Sequence, residues 1–170
     1  MASNVPMTSS GTAVKAASEN FHGVGFTVGH EEFCVDILKV QEIIRMVPIT
    51  AMPNAPEFVE GVINLRGKII PVIDFRKRFH IYDGGEGDEE NRRIIVVSFG
   101  SVTVGMIVDK VSQVIKITSD QISPTPDVVK GYESDYISGV ARVGDRLIIL
   151  LELERLFAQY GLEGMADDAA

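Results

Sequence analysis

Two apolar runs around a polar pair, 61–65 and 68–73 on either side of Arg66-Gly67, constrain this chain more than any other stretch. Such a pattern reads as a β-hairpin. Both runs are too apolar for a strand with one wet face, so the hairpin is expected to be largely buried. Its tip still carries Arg66 and Lys68, which need water or a counter-ion. A buried, rigid base holding out a cationic tip suits recognition. It does not suit catalysis, because no nucleophile, His or carboxylate pair accompanies it.

The hairpin has a partial copy. Gly61 and Gly139 stand 78 positions apart, and at that offset Val62, Ile69, Ile70, Val72 and Ile73 meet Val140, Leu147, Ile148, Leu150 and Leu151. Asp74, Phe75 and Phe79 meet Glu152, Leu153 and Phe157. Upstream, Ile37-Leu38-Lys39-Val40 resembles Val108-Asp109-Lys110-Val111 at an offset of 71. Any two buried hairpins share aliphatic residues; the matching Gly, acid and closing Phe are what favour duplication. The copy has Gly144 where the first hairpin has Arg66. Two similar small barrels follow, each too small to be comfortable alone, and so expected to pack on one another.

The rest of the chain fits that scheme. Short runs rich in Val, Ile or Phe occupy 24–28, 32–37, 93–99, 102–108, 114–118, 136–143 and 146–151. Turn residues separate them at Gly29-His30-Glu31, Gly100-Ser101 and Gly144-Asp145. Many short strands at this spacing indicate a sandwich or small barrels. The helical pieces are few. Residues 38–44 read as a short helix or turn, with Leu38 and Glu42 four apart. Residues 55–59 resemble a helix start with Asn54 as cap. The strongest helix is 152–160, with Leu153, Leu156, Phe157 and Tyr160 on one face. Asp74 reads as the cap of a helix beginning near Phe75. Residues 1–18 have no periodicity and are expected to be disordered. Residues 83–91 read as a solvated acidic loop, and 159–170 as a fraying tail.

Composition narrows the function classes. A net charge of −8 opposes binding to nucleic acid or to an anionic membrane surface. Apolar runs stop at about five residues where a membrane span needs about twenty, and a soluble cytoplasmic protein is the expectation. Cys34, between Phe33 and Val35, reads as a buried small hydrophobe. His22, His30 and His80 are scattered, and no phosphate loop or nucleophile elbow is present. No cofactor is implied. Arg66, Lys68, Arg76, Lys77 and Arg78 against Asp74 give a local net of +4 over thirteen residues. On an acidic protein such a ridge reads as a docking site for an acidic partner. A small ligand-binding or hydrolytic barrel using Asp74 or His80 is the rival from another class.

The segment Gly61-Val-Ile-Asn-Leu-Arg-Gly67, followed by Pro71-Val72-Ile73-Asp74, is similar to the signature hairpin of the CheW family of bacterial chemotaxis coupling proteins. Residues 35–43, 104–111 and 144–150 resemble other strands of that family, in order. The resemblance implies an all-β fold with short helices: two SH3-like five-stranded barrels, intertwined within 19–158, with a boundary near 83–92. It implies a non-enzymatic scaffold that joins the cytoplasmic tip of chemoreceptors, a helical hairpin, to the regulatory domain of the histidine kinase CheA. An adaptor for another output, such as surface motility, would use the same fold. Carried over by motif position, Arg66 matches a receptor-contacting arginine. Val40, Glu42 and Ile43 match positions implicated in coupling, and Gly61 matches a glycine where a side chain is poorly tolerated.

Overall fold

A computed structural model of the chain describes residues 20–81, 89–123 and 136–158. The expected tails at 1–18 and 159–170, most of the acidic loop, and Tyr160 lie outside these residues. In chain order the elements are β1 (Asn20–Val28), β2 (Glu31–Asp36), β3 (Val40–Arg45), β4 (Val59–Leu65), β5 (Lys68–Asp74) and α1 (Phe75–Phe79). Then come β6 (Arg93–Phe99), β7 (Val102–Val108), β8 (Lys110–Thr118), β9 (Ile122–Ser123), β10 (Ile137–Val143), β11 (Arg146–Leu151) and α2 (Leu153–Ala158). They form a six-stranded sheet of order β8-β1-β2-β11-β10-β9 and a five-stranded sheet of order β3-β6-β7-β5-β4. The two-residue β9 is the strand beyond the expected five.

Each sheet curls until its edges meet. In the five-stranded sheet, Thr50 follows β3 at one edge and bridges Val62 of β4 at the other through hydrogen bonds of 2.9 and 2.8 Å. In the six-stranded sheet, β8 runs through a 3₁₀ turn (Ser119–Gln121) into β9, which pairs with β10 through Val140↔Ser123. Val62 and Val140 are the same position of the 78-residue repeat, so both barrels close by the same device.

The repeat holds at the level of register. A bulge lies between Val59 and Gly61 opposite Ile73 and Val72, and another between Ile137 and Gly139 opposite Leu151 and Leu150. Asp74 N–H donates to Phe58 O at 2.7 Å, and Glu152 N–H to Tyr136 O at 2.6 Å. The offset of 71 holds as well: Gly25 faces Cys34 in the first pair of strands, and Val96 faces Gly105 in the second. The halves are exchanged between the sheets. The hairpin β1–β2 of the first half completes the sheet of β8, β10 and β11, while β6–β7 of the second half completes the sheet of β3, β4 and β5.

Three apolar cores result. Ile63, Ile70, Val72, Ile94, Val96 and Ile107 fill one barrel; Cys34, Ile115, Ile117, Ala141, Ile148 and Leu150 fill the other. The largest cluster draws on both sheets and both helices, as barrels packed together require. Its centre is aromatic. Phe75 of α1 lies 5.2 Å from Phe26, 4.8 Å from Phe33 and 4.4 Å from Phe79, ring centre to ring centre.

One local expectation holds only at its start and another fails. Of residues 38–44, expected as a short helix or turn, only Leu38 and Lys39 turn: Asp36 caps a 3₁₀ turn (Ile37–Lys39) by accepting from Leu38 N–H at 3.0 Å, and Val40 then begins β3. Burial in β3 alternates strictly, with Val40, Glu42 and Ile44 inward, and its three β-branched residues favour the extended chain. Nor do residues 55–59 form a helix. Asn54 has φ 65°, and Val59 N–H closes a single turn onto Pro56 O. The backbone of Phe58 and Val59 is taken up by β5 instead.

Phe75 is fully buried, whereas Leu147, on the outside of β11, is 60% exposed. Phe75→Ala is therefore expected to cost about 3–5 kcal/mol in a chemical denaturation experiment. Leu147→Ala should change stability by no more than about 0.5 kcal/mol.

Candidate functional site

The β4–β5 connection is a two-residue loop between Leu65 and Lys68, and both of its residues have positive φ: 54° at Arg66 and 82° at Gly67. That geometry matches the right-handed twist of the flanking strands, and it favours Asn, Asp or Gly. Gly67 meets the requirement freely. An arginine there is held in the left-handed region at a cost of about 1–2 kcal/mol. Asn64 supports the loop by accepting from Gly67 N–H at 2.8 Å. The matching loop of the second half, Gly144-Asp145, has its positive φ at Gly144.

Arg66 does not simply point into water. Its guanidinium forks onto the carboxylate of Glu42, with Nη2 to Oε1 at 2.9 Å and a second bond from Nη1 to Oε2. Glu42 stands on β3 and Arg66 at the tip of β4–β5, the two edges of one sheet. The pair thus spans the seam where that barrel closes. Arg66 is 73% exposed along its side chain and Glu42 20%. The bonds from Glu42, and then its charge, push the Arg66 pKa further up.

The other expected residues separate into different tasks. Ile43 follows Glu42 and is exposed on the opposite face of β3. Val40 is half-buried against the central core, beside a bulge that separates it from Glu42. Gly61 faces no solvent. Its φ is 149°, and a Cβ added there would lie 2.0 Å from Thr50 O. It keeps β4 close enough to Thr50 for the seam to form. The obstacle that a side chain would meet at this position is steric and lies within the barrel.

Two residues were not picked out from sequence. Val47 and Met52 are exposed apolar side chains on the stretch after β3. The signal was there: an apolar run broken by Pro48 and Pro53, which cannot donate to a sheet. The expected basic ridge dissolves. Arg76 pairs with Asp109, Lys77 with Glu60 at 2.5 Å, and Arg66 with Glu42. Arg78 is buried with its guanidinium 4.4 Å from the Tyr136 ring centre and 5.3 Å from that of Phe79.

The groups named for the rival chemistry have structural work. Asp74 caps α1 by accepting from Arg76 N–H at 2.9 Å, as the sequence suggested, and burial raises its pKa. His80 ends the same helix at φ 55°. Burial first, and then the charge of Asp36, push the Cys34 thiol up to about 12. Among the described residues no three His, Cys, Asp or Glu side chains gather in a way that would hold a metal, and no helix is long and apolar enough to cross a membrane.

Residues 22–160 match the family model of the CheW-like domain. The chemotaxis protein CheW of Klebsiella aerogenes is 42% identical over 133 residues, 78% of this chain and 79% of that protein. The chemotaxis protein CheW of Rhizobium meliloti is 41% identical over 136 residues, 79% of this chain and 85% of that one. The crystal structure of the scaffolding protein TtCheW from Thermoanaerobacter tengcongensis matches with a TM-score of 0.73 at 42% identity, covering 81% of this chain and 92% of that one.

Gly61 and Gly67 both have positive φ, but only Gly61 has a neighbour in the way. Gly67→Ala should cost about 1–2 kcal/mol of backbone strain. Gly61→Ala adds a clash with backbone and should cost clearly more, with a correspondingly lower melting temperature. Equal melting temperatures for the two variants would contradict the steric reading.

Proposed function

We propose a bridging role for this chain, which belongs to the CheW family: a chemotaxis scaffold that joins the cytoplasmic tip of chemoreceptors to the regulatory domain of the histidine kinase CheA. It works in the cytoplasm by binding and carries out no chemistry of its own. Arg66 and Glu42 at the seam, and Ile43 on the outer face of the same edge strand as Glu42, form the recognition surface, with Val47 and Met52 following that strand in the chain. Val40 and Gly61 set its geometry from within. An adaptor for another chemosensory output would present the same surface, and only the identity of the receptor distinguishes the two.

One observation carries this reading. A long cationic side chain occupies a turn position that suits Gly, and most of that side chain is exposed. The fold would be served better by Gly, which the second hairpin has at Gly144. A residue retained against its backbone preference points to use by a partner. Glu42 holds the guanidinium in place while leaving it accessible, so a carboxylate on a partner can share or replace that contact. The exposed apolar residues Ile43, Val47 and Met52, which follow Glu42 in the chain, supply area for a reversible contact of the modest size common in signalling.

Arg66→Gly separates the two roles. The melting temperature should stay the same or rise slightly, because the turn strain is relieved. Capture of receptor membranes should weaken about tenfold or more, as for loss of a charged anchor. Receptor-dependent activation of CheA should fall with it. A variant that loses stability yet keeps binding would overturn the reading. Glu42→Arg is the companion test: it should lower receptor or kinase binding without unfolding the protein, and unchanged binding to both would displace the surface from β3.

A further inference from the structure

The exchanged topology has a consequence for self-association. Suppose the first half closed on itself, with β1–β2 in the place that β6–β7 now occupies. The strand order would be β3-β1-β2-β5-β4, and β3 would lie parallel to β2, on the far side of β1. The chain would have to return the length of β2, about 20 Å for six residues. Only the three residues Ile37–Lys39 are available, and they reach about 11 Å. The second half is tighter still, with Asp109 alone between β7 and β8. Neither half can complete its own barrel, so each must recruit another half. The candidates are its own complement or the like half of a second copy.

Charge discriminates between them. Arg76 of α1 meets Asp109 at the β7–β8 corner, with Nε to Oδ1 at 2.9 Å and Nη2 to Oδ2 at 2.6 Å. The pseudo-equivalent contact is Glu154 of α2 with Lys39 at the β2–β3 corner, at 2.5–2.6 Å. Arg76 and Glu154 occupy the same repeat position, 78 apart, and the corner residue equivalent to Asp109 at the offset of 71 is Leu38. The polarity is reversed between the two contacts: the first half has a helix cation and a corner cation, the second a helix anion and a corner anion. Pairing first half with first half sets Arg76 against Leu38 and Lys39. Pairing second with second sets Glu154 against Asp109, with only the neighbouring, exposed Lys110 to compensate. Arg76 and Asp109 are mostly buried, at 17% and 12% side-chain exposure, so a lost partner there is poorly replaced by water.

We propose that this reversed polarity makes the two halves of the chain complementary to each other and bars like-half pairing between copies, which keeps the exchanged fold from linking molecules together. The test is the double variant Leu38→Asp/Glu154→Arg in the full chain. It rebuilds the native contact as Asp at 38 with Arg at 154 and allows both like-half pairings too. Leu38 is 89% exposed, so the fold should tolerate the change. After refolding from denaturant at high protein concentration, light scattering coupled to size exclusion should show several-fold more dimer than the parent. The melting temperature should stay at or above that of Leu38→Ala/Glu154→Ala, which removes the contact without inverting it and should refold with the parent's dimer fraction. Equal dimer fractions in the inverted and alanine variants, at any level, would overturn the proposal. So would a melting temperature of the inverted variant below that of the alanine variant.

Discussion

The structure depends most on one largely buried carboxylate. Asp109 is the single residue between β7 and β8, where the chain leaves one sheet for the other. Its oxygens take the Arg76 guanidinium from α1 and the Gly29 N–H, at 2.8 Å, from the β1–β2 turn. Its own N–H donates to Thr27 O at 3.1 Å. Elements from both sheets and both halves thus converge on one side chain. Removing one member of such a pair leaves the other's charge buried, a loss of about 3–5 kcal/mol in comparable cases. The aromatic cluster around Phe75 contributes more apolar area, but it lacks direction. The charged contact specifies how the barrels sit together.

The proposed recognition surface depends on that rigidity. Arg66 and Glu42 come from opposite edges of one sheet, and they meet only because the barrel has closed. Closure in turn needs Gly61, which leaves room for Thr50 against β4. Gly61 is therefore as necessary to the proposed surface as the arginine at its tip. In the second barrel the same steps recur with Gly139 and Ser123, whose oxygen lies 2.9 Å from where a Cβ would stand. That barrel ends in a Gly144-Asp145 turn, which has glycine where the first has its arginine and presents an exposed carboxylate instead.

The parts legible in the sequence were those set by local pattern. Strands such as Arg93–Phe99, Val102–Val108 and Arg146–Leu151 were readable because apolar β-branched runs end at Gly turns. The Asp74 cap was readable because capping acts over two residues. The duplication was readable in full, down to both offsets. Strand β3 was not, because Leu38 and Glu42 happen to stand four apart and imitate a helix. The basic ridge was misread for a different reason: Arg76, Lys77 and Arg66 find their carboxylates 33, 17 and 24 positions away. The exchange between halves left no trace in the pattern at all. A repeat looks the same whichever copies pair, and only the short corners at Ile37–Lys39 and Asp109 decide it. Glu42 and Arg66 could be named from family resemblance, yet their mutual contact could not.

The paired seams also set how each barrel can breathe. Every interior strand is held along both sides, while Thr50 and Val62 hold one ring shut with two hydrogen bonds, and a strand of two residues does the same for the other. Each barrel is a ring with a clasp, and the clasp is the cheapest place to part it. Solvent should reach the amides of Thr50 and Val62 well before those of Ile95 or Val96 in the middle of the sheet. Because the Glu42–Arg66 pair straddles that opening, a partner gripping both side chains would hold the clasp closed, and occupancy would register as slower exchange in strands it never touches.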